Sequence, residues 1–392
     1  MKLVILKFGG TSLDTSEHRQ AAATIVKDKV TAGFFPVVVV SAMGRIGEPY
    51  STDTLHNLLP ENTSEDVSDF LANCGEMISA SLFSAELQNL GLKARPVTGW
   101  QAGIITDKFF RDAQVLEINT GTIEKLIHNN IVPVVCGFQG ITPDGELTTL
   151  GRGGSDTTSA LLAQALKAES LEIYKDVDGI FTANPHQVND ARLIKVINYE
   201  ELAEITGNGA QVVNNRAALI AAGSNIPIGI GNTFTGKTGT LVKIVKQNRL
   251  ITSLTSRSNL LLVRIATAAE NRLSEIFPLF SLVGLSLDFI TVDNCHISFV
   301  IEQNKIAAVQ EVLTKIEDDY EVTELYSKIS LVGSGMTGQP GVMAKISRIL
   351  NENMIPVILA TDSYSTISVL VKSEYELLAL QKLHQALISE EV

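Results

Sequence analysis

Short runs rich in apolar side chains recur along the first part of the chain, and helical patterns separate them. The runs at residues 2–6, 36–40, 131–136, 170–174 and 227–230 are rich in β-branched side chains and predict strands. The unbroken β-branched run at residues 36–40 is typical of a strand that is buried on both faces of a sheet. Helices are predicted at residues 17–32, 67–90, 120–129, 159–168, 199–206 and 210–222, and short strands at 92–97 and 104–106. This alternation predicts an α/β fold with a mainly parallel sheet sandwiched by helices.

Two segments of this region lack a regular pattern. Residues 51–62 are polar and are expected to be mobile. Residues 137–150 are expected to form a loop that turns at Pro143-Asp144-Gly145, because Pro, Asp and Gly favour the backbone angles of a tight turn. Both segments are therefore predicted to connect regular elements.

The pattern changes beyond a stretch rich in Gly and Thr at residues 231–240, and we place a domain boundary near Lys243. Strands are predicted at residues 260–266, 285–291, 296–302, 328–332, 356–361 and 366–372, and helices at 269–283, 306–316, 341–353 and 375–387. This order is a β-α-β-β-α-β module that is present twice in weakly similar form. We therefore predict a first domain over residues 1–243 and an α+β region over 250–392, with modules at about 264–326 and 328–392 plus the strand before residue 264. Paired modules of this kind bind a small ligand between them or serve only for dimerisation.

The 392-residue chain has 45% apolar and 19% charged residues, the composition of an ordinary soluble globular protein with two or three domains. A formal charge of −12 argues against non-specific binding to nucleic acid or to anionic membranes. Three dispersed cysteines predict a reducing compartment and no metal cluster. Because the chain shows no signal peptide and no apolar run long enough for a membrane span, we expect a cytoplasmic protein.

The stretch from Gly151 to Thr158 is the strongest candidate for chemistry. It lies between the predicted strand at residues 131–136 and the predicted helix at 159–168. Glycines at a strand-to-helix turn let backbone N–H groups approach an anion closely. Ser155 or Asp156 can cap the helix, and Asp156 can also hold a catalytic cation in place. The guanidinium of Arg152 matches a carboxylate or a phosphate. The alternative is a glycine turn with a capping Asp and a solvated Arg.

Two further strand exits support a site at one edge of the sheet. The run Lys7-Phe8-Gly9-Gly10 joins a strand to a helix and resembles a phosphate cradle with a lysine at its mouth, although the P-loop pattern is absent. Ser41-Ala42-Met43-Gly44 ends the next strand, and ligands of open α/β sheets bind at the carboxyl ends of strands. A surface lysine before a tight turn is the alternative for Lys7.

A glycine inside a predicted helix marks a third candidate. Gly75 costs about 1 kcal/mol relative to Ala in a helix interior, so its presence suggests the close approach of another backbone or of a ligand. Glu76 beside it is either a solvated helix acid or a partner for the ammonium group of a substrate.

Taken together, five motifs in this order resemble the aspartate kinases of the amino-acid kinase superfamily. The motifs are Lys7-Phe8-Gly9-Gly10-Thr11-Ser12, Ser41-Ala42-Met43-Gly44, Gly75-Glu76, Gly151 to Thr158, and Asp176-Val177-Asp178-Gly179-Ile180-Phe181-Thr182-Ala183. The last part of the chain resembles the tandem ACT regulatory domains of the same family, on residues 331–336 and 340–342. The tail at residues 360–372 is most similar to the diaminopimelate-sensitive class.

The resemblance implies an amino-acid kinase fold and transfer of the ATP γ-phosphoryl group to the side-chain carboxylate of L-aspartate. This reaction yields 4-phospho-L-aspartate, the first step toward lysine and diaminopimelate, threonine and methionine. Mg²⁺ would arrive with ATP, held mostly by phosphates and water, without a dedicated metal site in the protein. A general base is not needed, because the attacking carboxylate is already ionised at neutral pH.

The resemblance also implies a role for each site residue. Lys7 would neutralise charge on the transferring phosphoryl group, and Asp156 would orient Lys7; these two are the catalytic residues. Arg152 would clamp the substrate α-carboxylate, and Glu76 would pair with its ammonium group. The residues assigned to the substrate are Ser41, Thr52, Glu76, Arg152, Gly153, Gly154 and Ser155. Those assigned to the nucleotide are Lys7, Phe8, Gly9, Gly10, Lys175, Asp176, Phe181, Thr182, Ala183, Asn184, Pro185, His186 and Gln211.

This chain departs from the family pattern at the nucleotide end. The family usually has Thr or Ser at the position of Lys175, Asp and Arg at those of Asn184 and His186, and Lys at that of Gln211. It also has Ser-Pro where this chain has Asn214-Asn215. These changes remove two fixed cations, and either Lys175 restores one charge or His186 donates a hydrogen bond instead.

The expected substrate is L-aspartate, and a second copy of the chain is expected as the partner in a homodimer. An amino-acid effector is expected at the ACT domains, with diaminopimelate or lysine as candidates. Two alternatives remain open on the residues alone. The altered nucleotide end is compatible with a non-catalytic regulatory paralogue that still binds an amino acid. The chain could also be a kinase for another small amino acid.

Overall fold

The computed structural model describes residues 2–210, 212–246, 249–266, 272–293, 295–316, 319–336 and 338–388. The chain forms two compact units. The first contains Met1–Ile180, Leu193–Thr206 and Gln211–Lys246, and the second contains Phe181–Arg192, Gly207–Ala210 and Gln247–Val392. None of the helices in the described part of the chain has the length and apolar content that a membrane span requires.

The first unit is built on an eight-stranded sheet in the order β10-β12-β11-β9-β1-β2-β6-β3. Neighbouring strands from β11 to β3 run parallel, and β12 is antiparallel to β11, so the predicted mainly parallel sheet is confirmed. The strands of this unit are β1 (Lys2–Phe8), β2 (Phe34–Val40), β3 (Ala94–Val97), β4 (Ile104–Thr106), β5 (Val115–Ile118), β6 (Val132–Cys136), β7 (Gln139–Ile141), β8 (Leu147–Thr149), β9 (Ser170–Lys175), β10 (Val196–Ile197), β11 (Ile228–Asn232) and β12 (Thr238–Val242). Its helices are α1 (Ser16–Thr31), α2 (Thr52–His56), α3 (Glu65–Asn89), α4 (Gly121–His128), α5 (Gly154–Ala165), α6 (Tyr199–Gly207) and α7 (Asn215–Ser224).

Side-chain alternation along β1 separates the core from the candidate site. Leu6 and Phe8 join a buried cluster with Phe83 of α3 and Val26 of α1 on one face of the sheet. Since successive side chains of a strand point to opposite faces, Lys7 lies on the other face. Helix α5 contacts β1, β2 and β9. The strand therefore presents Lys7 toward the helix that follows the glycine stretch.

The prediction of a loop over residues 137–150 was wrong, although its turn at Pro143-Asp144-Gly145 is confirmed. Residues 137–150 form the hairpin of β7 and β8, which belongs to a four-stranded sheet in the order β5-β4-β7-β8. Strands β7 and β8 have three residues each, and buried polar side chains such as Gln139 and Thr148 obscure their pattern. The polar segment after Ser51 contains the short helix α2, because the Ser51 hydroxyl caps it by accepting from the Thr54 N–H at 3.3 Å.

The second unit has a six-stranded sheet in the order β14-β15-β13-β16-β18-β17. Its elements are β13 (Ser253–Ala266), α8 (Leu273–Leu282), β14 (Asp288–Val292), β15 (His296–Glu302), α9 (Ile306–Leu313), β16 (Tyr320–Val332), α10 (Val342–Glu352), β17 (Leu359–Asp362), β18 (Thr366–Lys372) and α11 (Glu376–Leu387). The long strands β13 and β16 pair along nearly their whole length, with register shifts near Arg257 and Leu260. One half of each strand therefore serves one β-α-β-β-α-β module and the other half serves the second.

The segment Phe181–Arg192 packs within the second unit. Its side chains Ala183 and Val188 are buried in the cluster that α10 and α11 form with β13, β16 and β18. The Thr182 carbonyl accepts from the Leu254 N–H at 2.8 Å, and the Thr182 hydroxyl lies 2.8 Å from Nε2 of His384. These contacts make the segment after β9 part of the second unit.

Candidate active site

One buried carboxylate holds two lysines at the end of β1. Lys7 Nζ lies 2.6 Å from Oδ1 of Asp156, and both side chains are buried, at 6% and 5% exposure. Lys175 Nζ lies 3.6 Å from the other oxygen, Oδ2, and its side chain is 20% exposed. Two cations and one anion therefore meet where the sequence predicted an anion-binding site.

The fold explains why these three residues meet. Strands β1 and β9 are parallel neighbours, with Phe8 opposite Tyr174, so Lys175 ends β9 beside the Gly9 turn. Asp156 lies in the first turn of α5, where the helix dipole favours a negative charge. The backbone N–H of Asn214 donates to Asp156 Oδ2 at 3.0 Å and fixes the carboxylate.

The charges of this cluster shift its ionisation. Burial raises the pKa of Asp156, but the ammonium groups of Lys175 and Lys7 and the N–H of Asn214 outweigh it and bring the pKa to about 2. Burial lowers the pKa of Lys7; Asp156 opposes this effect and Lys175 adds to it. The carboxylate is thus anionic at every physiological pH and can hold a cation.

The Gly9-Gly10 turn is pressed against the end of β2. A Cβ on Gly10 would lie 2.5 Å from the Ala42 carbonyl oxygen, which is closer than real Cβ contacts, so this position requires glycine. The Gly9 N–H donates to the Tyr174 carbonyl at 3.0 Å and is already used. Among the described residues, the Gly10 N–H has no acceptor. Of the two predicted phosphate donors, Gly10 is therefore the one whose N–H is free.

Glu76 is a buried acid that faces the end of β2. Its Oε1 accepts from the Ala42 N–H at 3.0 Å, and its Oε2 is buried without a hydrogen-bond partner in the described part of the chain. Burial raises the pKa of Glu76 to about 8, despite the Ala42 N–H and the charge of Lys7. The expected close approach at Gly75 is confirmed, because a Cβ there would lie 2.8 Å from the Ala42 Cβ.

The other residues assigned to the substrate lie on neighbouring elements of the first unit. Ser155 is buried against Gly137, whose Cβ would lie 2.6 Å from that of Ser155. Ser41 follows β2 and Thr52 begins α2, and both are half-buried. Arg152 is exposed, and its side chain has no ion pair with the described residues.

The glycines before α5 are explained by close contacts. Gly153 has a left-handed backbone, with φ of 77°, and a Cβ there would lie 2.1 Å from the Asn214 amide nitrogen. A Cβ on Gly154 would lie 2.9 Å from the Leu150 Cβ. Asn214 also donates from Nδ2 to the Arg152 carbonyl at 3.0 Å, so it connects the glycine stretch to the Asp156 carboxylate.

The structure places the predicted nucleotide residues in two groups. Phe8, Gly9, Gly10, Lys175 and Asp176 surround the ends of β1 and β9, and Asp176 forms an ion pair with Arg45. The second group, Phe181, Thr182, Ala183, Asn184, Pro185 and His186, belongs to the second unit. Gln211 lies outside the described residues.

Sequence reasoning assigned no role to two residues of this site, Asn214, which it noted only as a departure from the family pattern, and Arg45. Asn214 acts partly through its backbone N–H, which no motif records, although an Asn before a helical pattern is a known capping signal. Arg45 follows the small-residue exit of β2, and only the fold brings it to Asp176. In the described ranges, no group of three or more His, Cys, Asp or Glu side chains is arranged to hold a metal ion.

Comparison with known families matches both parts of the chain. A model described as the amino acid kinase family matches residues 2–232, and a model described as the ACT domain matches residues 321–385. Aspartokinase 1 of Bacillus subtilis (strain 168) is 36% identical over 98% of this chain and 98% of its own length. The aspartokinase of Geobacillus stearothermophilus is 35% identical over 98% of this chain and 97% of its own.

Solved structures match over nearly the whole chain as well. E. coli aspartokinase III in complex with aspartate and ADP, in the R-state, has a TM-score of 0.83 at 26% identity, covering 99% of this chain and 100% of that one. The same enzyme in complex with lysine and aspartate, in the T-state, has a TM-score of 0.76 at 26% identity with the same coverage.

Proposed function

The chain belongs to the aspartokinase family, and we propose that it transfers the γ-phosphoryl group of ATP to the side-chain carboxylate of L-aspartate. The observation that carries this proposal is the buried ion pair of Lys7 with Asp156, at 2.6 Å, beside the Gly10 turn. Phosphoryl transfer needs positioning and charge stabilisation more than covalent chemistry. A fixed ammonium group at an anion-binding turn supplies both.

Lys7 is the central catalytic residue of the proposal. Its ammonium group offsets negative charge on the oxygens of the transferring phosphoryl group, and Asp156 holds it in place. Because Asp156 is itself fixed by the Asn214 N–H, the ammonium is preorganised before the substrate binds. Preorganised charge of this kind is commonly the largest single contribution to enzymatic rate.

Glu76 and Arg152 are proposed to bind the two charged ends of aspartate. The buried Oε2 of Glu76 can accept hydrogen bonds from the substrate ammonium group, which would also offset the cost of burying the carboxylate. The exposed guanidinium of Arg152 can form two parallel hydrogen bonds with the α-carboxylate. Ser41, Thr52, Gly153, Gly154 and Ser155 would position the same substrate.

On the nucleotide side, the free N–H of Gly10 is proposed to contact a phosphate, with Gly9, Lys175 and Asp176 around it. Phe8 would contribute only its backbone there, because its side chain lies in the core cluster. Roles for Phe181, Thr182, Ala183, Asn184, Pro185, His186 and Gln211 stay predictions from the resemblance. Mg²⁺ would be bound with ATP through phosphate oxygens and water, where it neutralises phosphate charge.

The tandem modules of the second unit are proposed to bind an amino-acid effector and to form a homodimer. The support is the ACT match and the likeness to an aspartokinase in complex with lysine. Lysine and diaminopimelate are the proposed effectors. Titration of each against turnover, together with light scattering at micromolar concentration, tests this part.

The experiment for the catalytic proposal incubates purified protein with ATP, Mg²⁺ and L-aspartate and traps the acyl phosphate as a hydroxamate. We expect hydroxamate that depends on all three components. If no product forms at any aspartate concentration, the protein is not an active aspartate kinase. If product forms only with another amino acid, the substrate assignment is wrong.

A further inference from the structure

We propose that Lys175 is a second catalytic cation, whose ammonium group contacts the transferring phosphoryl group from the side opposite Lys7. This inference rests on the proposed phosphoryl transfer and assigns a role to a residue at which this chain departs from the family pattern. Four observations support it, namely the path of the side chain, the distance to Asp156, the charge of the cluster and its exposure.

The side chain of Lys175 extends across the Gly9 turn. Lys175 is the last residue of β9, and its Cγ lies 3.7 Å from the position that a Cβ on Gly9 would occupy. Its ammonium group lies near Oδ2 of Asp156, whereas the ammonium group of Lys7 contacts Oδ1. The two ammonium groups therefore flank one carboxylate at the mouth of the predicted phosphate cradle.

Asp156 does not depend on Lys175 for its hydrogen bonds. Its Oδ2 accepts from the Asn214 N–H at 3.0 Å, whereas Lys175 Nζ is 3.6 Å away, beyond the distance of a direct hydrogen bond. The hydrogens of the Lys175 ammonium are thus available to a second anion. A lysine that served only to satisfy Asp156 would be expected closer to it.

The charge of the cluster also favours a role for a second cation in catalysis. Lys7 and Asp156 together are neutral, so this pair alone presents little net attraction to a phosphate. With Lys175 the cluster has one net positive charge, and Lys175, at 20% exposure, is its more accessible lysine. The chain has Gln211, Asn184 and His186 where its family resemblance leads us to expect Lys, Asp and Arg. Lys175 would return one positive charge to the reacting centre.

The reaction step with both lysines is balanced. The bond between the γ-phosphorus and the oxygen that bridges it to the β-phosphate breaks, and a bond forms between that phosphorus and an oxygen of the aspartate side-chain carboxylate. ADP leaves with the bridging oxygen. No proton leaves Lys175, which acts only through its charge and hydrogen bonds on the non-bridging oxygens.

The experiment compares Lys175→Met and Lys175→Arg with a matched control, Lys29→Met. Lys29 is a partly buried lysine of α1, and its Nζ lies 2.6 Å from Oε1 of Glu172, which is on the same strand as Lys175. We expect Lys175→Met to lower kcat about 100-fold, as loss of one preorganised electrostatic contact does in other enzymes, while the aspartate KM changes less than about threefold. Lys175→Arg should recover part of kcat, and Lys29→Met should keep it.

Binding measurements separate a catalytic role from a structural one. In calorimetric titrations, Lys175→Met should weaken a non-hydrolysable ATP analogue about tenfold or more, which is the size of one charge-assisted contact, and leave ADP nearly unchanged. A kcat within about threefold of wild type would overturn the proposal. A variant that is less thermally stable and binds ADP and the ATP analogue more weakly by the same factor would also overturn it, because the role of Lys175 would then be structural. Because these titrations need no turnover, they test Lys175 even if the wild-type protein makes no hydroxamate.

Discussion

The N–H of Ala42 donates to Oε1 of Glu76 at 3.0 Å, while Oε2 of the same carboxylate is buried without a partner among the described residues. This arrangement connects the end of β2 to the middle of α3. Burial raises the pKa of Glu76 to about 8, so the free protein holds a proton there at pH 7. A cation that enters next to Oε2 would favour the ionised form.

Aspartate binding should therefore release a proton from Glu76. At pH 7 we expect a release of up to about one proton per site, because the substrate ammonium lowers the pKa of the carboxyl. Calorimetric titrations in buffers of different ionisation enthalpy measure this number directly. In Glu76→Gln the release should disappear and the affinity for aspartate should fall. Release that persists in the variant would show that another group titrates.

Arg152→Ala should raise the aspartate KM with little change in kcat, because the guanidinium is proposed to bind the α-carboxylate equally in the ground and transition states. We expect an increase of roughly tenfold or more, corresponding to one lost charge-assisted contact. Initial rates over a range of aspartate concentrations provide the test. If the variant shows a lower kcat and an unchanged aspartate KM, Arg152 does not bind the substrate carboxylate as proposed.

Gly10→Ala should destabilise the first unit and lower activity. The new Cβ would lie 2.5 Å from the Ala42 carbonyl oxygen, and forced contacts of this kind cost about 1–3 kcal/mol. Gly223→Ala in α7 is the control, since a Cβ there has no neighbour within 4 Å and a helical Gly→Ala change is neutral or stabilising. Chemical denaturation of both variants measures the difference. Equal stabilities would mean that the turn at Gly10 can move away.

Thr182→Val should destabilise the second unit by about 1–3 kcal/mol, because it leaves buried polar partners unsatisfied. The hydroxyl accepts from the Arg192 N–H at 2.9 Å and lies 2.8 Å from Nε2 of His384. Thr314→Val is the control, since its exposed hydroxyl only donates to a carbonyl on the same helix. Denaturation followed by a probe in the second unit measures both. If the free energy of unfolding of Thr182→Val equals that of the wild type, the hydrogen bonds of this hydroxyl make no net contribution to stability.

The same contact predicts a pH dependence. Burial, with the charge of Arg192, lowers the pKa of His384 below the ordinary 6.5, so the folded imidazole is neutral at pH 7. Because the unfolded chain then binds more protons than the folded one, stability should fall as the pH decreases below 6.5. Denaturation at several pH values should show this slope, and His384→Gln should reduce it. A parallel slope in the variant would assign the effect to other groups.

The sequence predicted the central strands and the proposed catalytic pair, because each is encoded in a short contiguous segment. Unbroken apolar runs such as Pro36 to Val40 identified the central strands, and the motif order led to Lys7 beside Asp156. The β7–β8 hairpin could not be predicted, because strands of three residues with buried polar side chains show no clear alternation. The contact of Lys175 with Asp156 was also beyond the sequence, since it depends on the pairing of β9 with β1.

The second unit shows a related limit. The sequence pattern predicted only the part of β13 at residues 260–266 and the part of β16 at residues 328–332. The full length of both strands, and their sharing by two modules, follow from the strand register. The packing of Phe181–Arg192 within this unit was likewise not visible. Its motif resembles a nucleotide-binding segment, while Ala183 and Val188 pack with α10 and α11 through contacts distant in sequence.

The most direct test of the account is the turnover number of Lys7→Ala, measured with the hydroxamate assay at saturating ATP and L-aspartate. Retained ADP binding would show that the variant is folded. The account predicts that kcat falls about 100-fold or more, because the buried ammonium held by Asp156 is lost from the transferring phosphoryl group. A kcat within about twofold of wild type would contradict it.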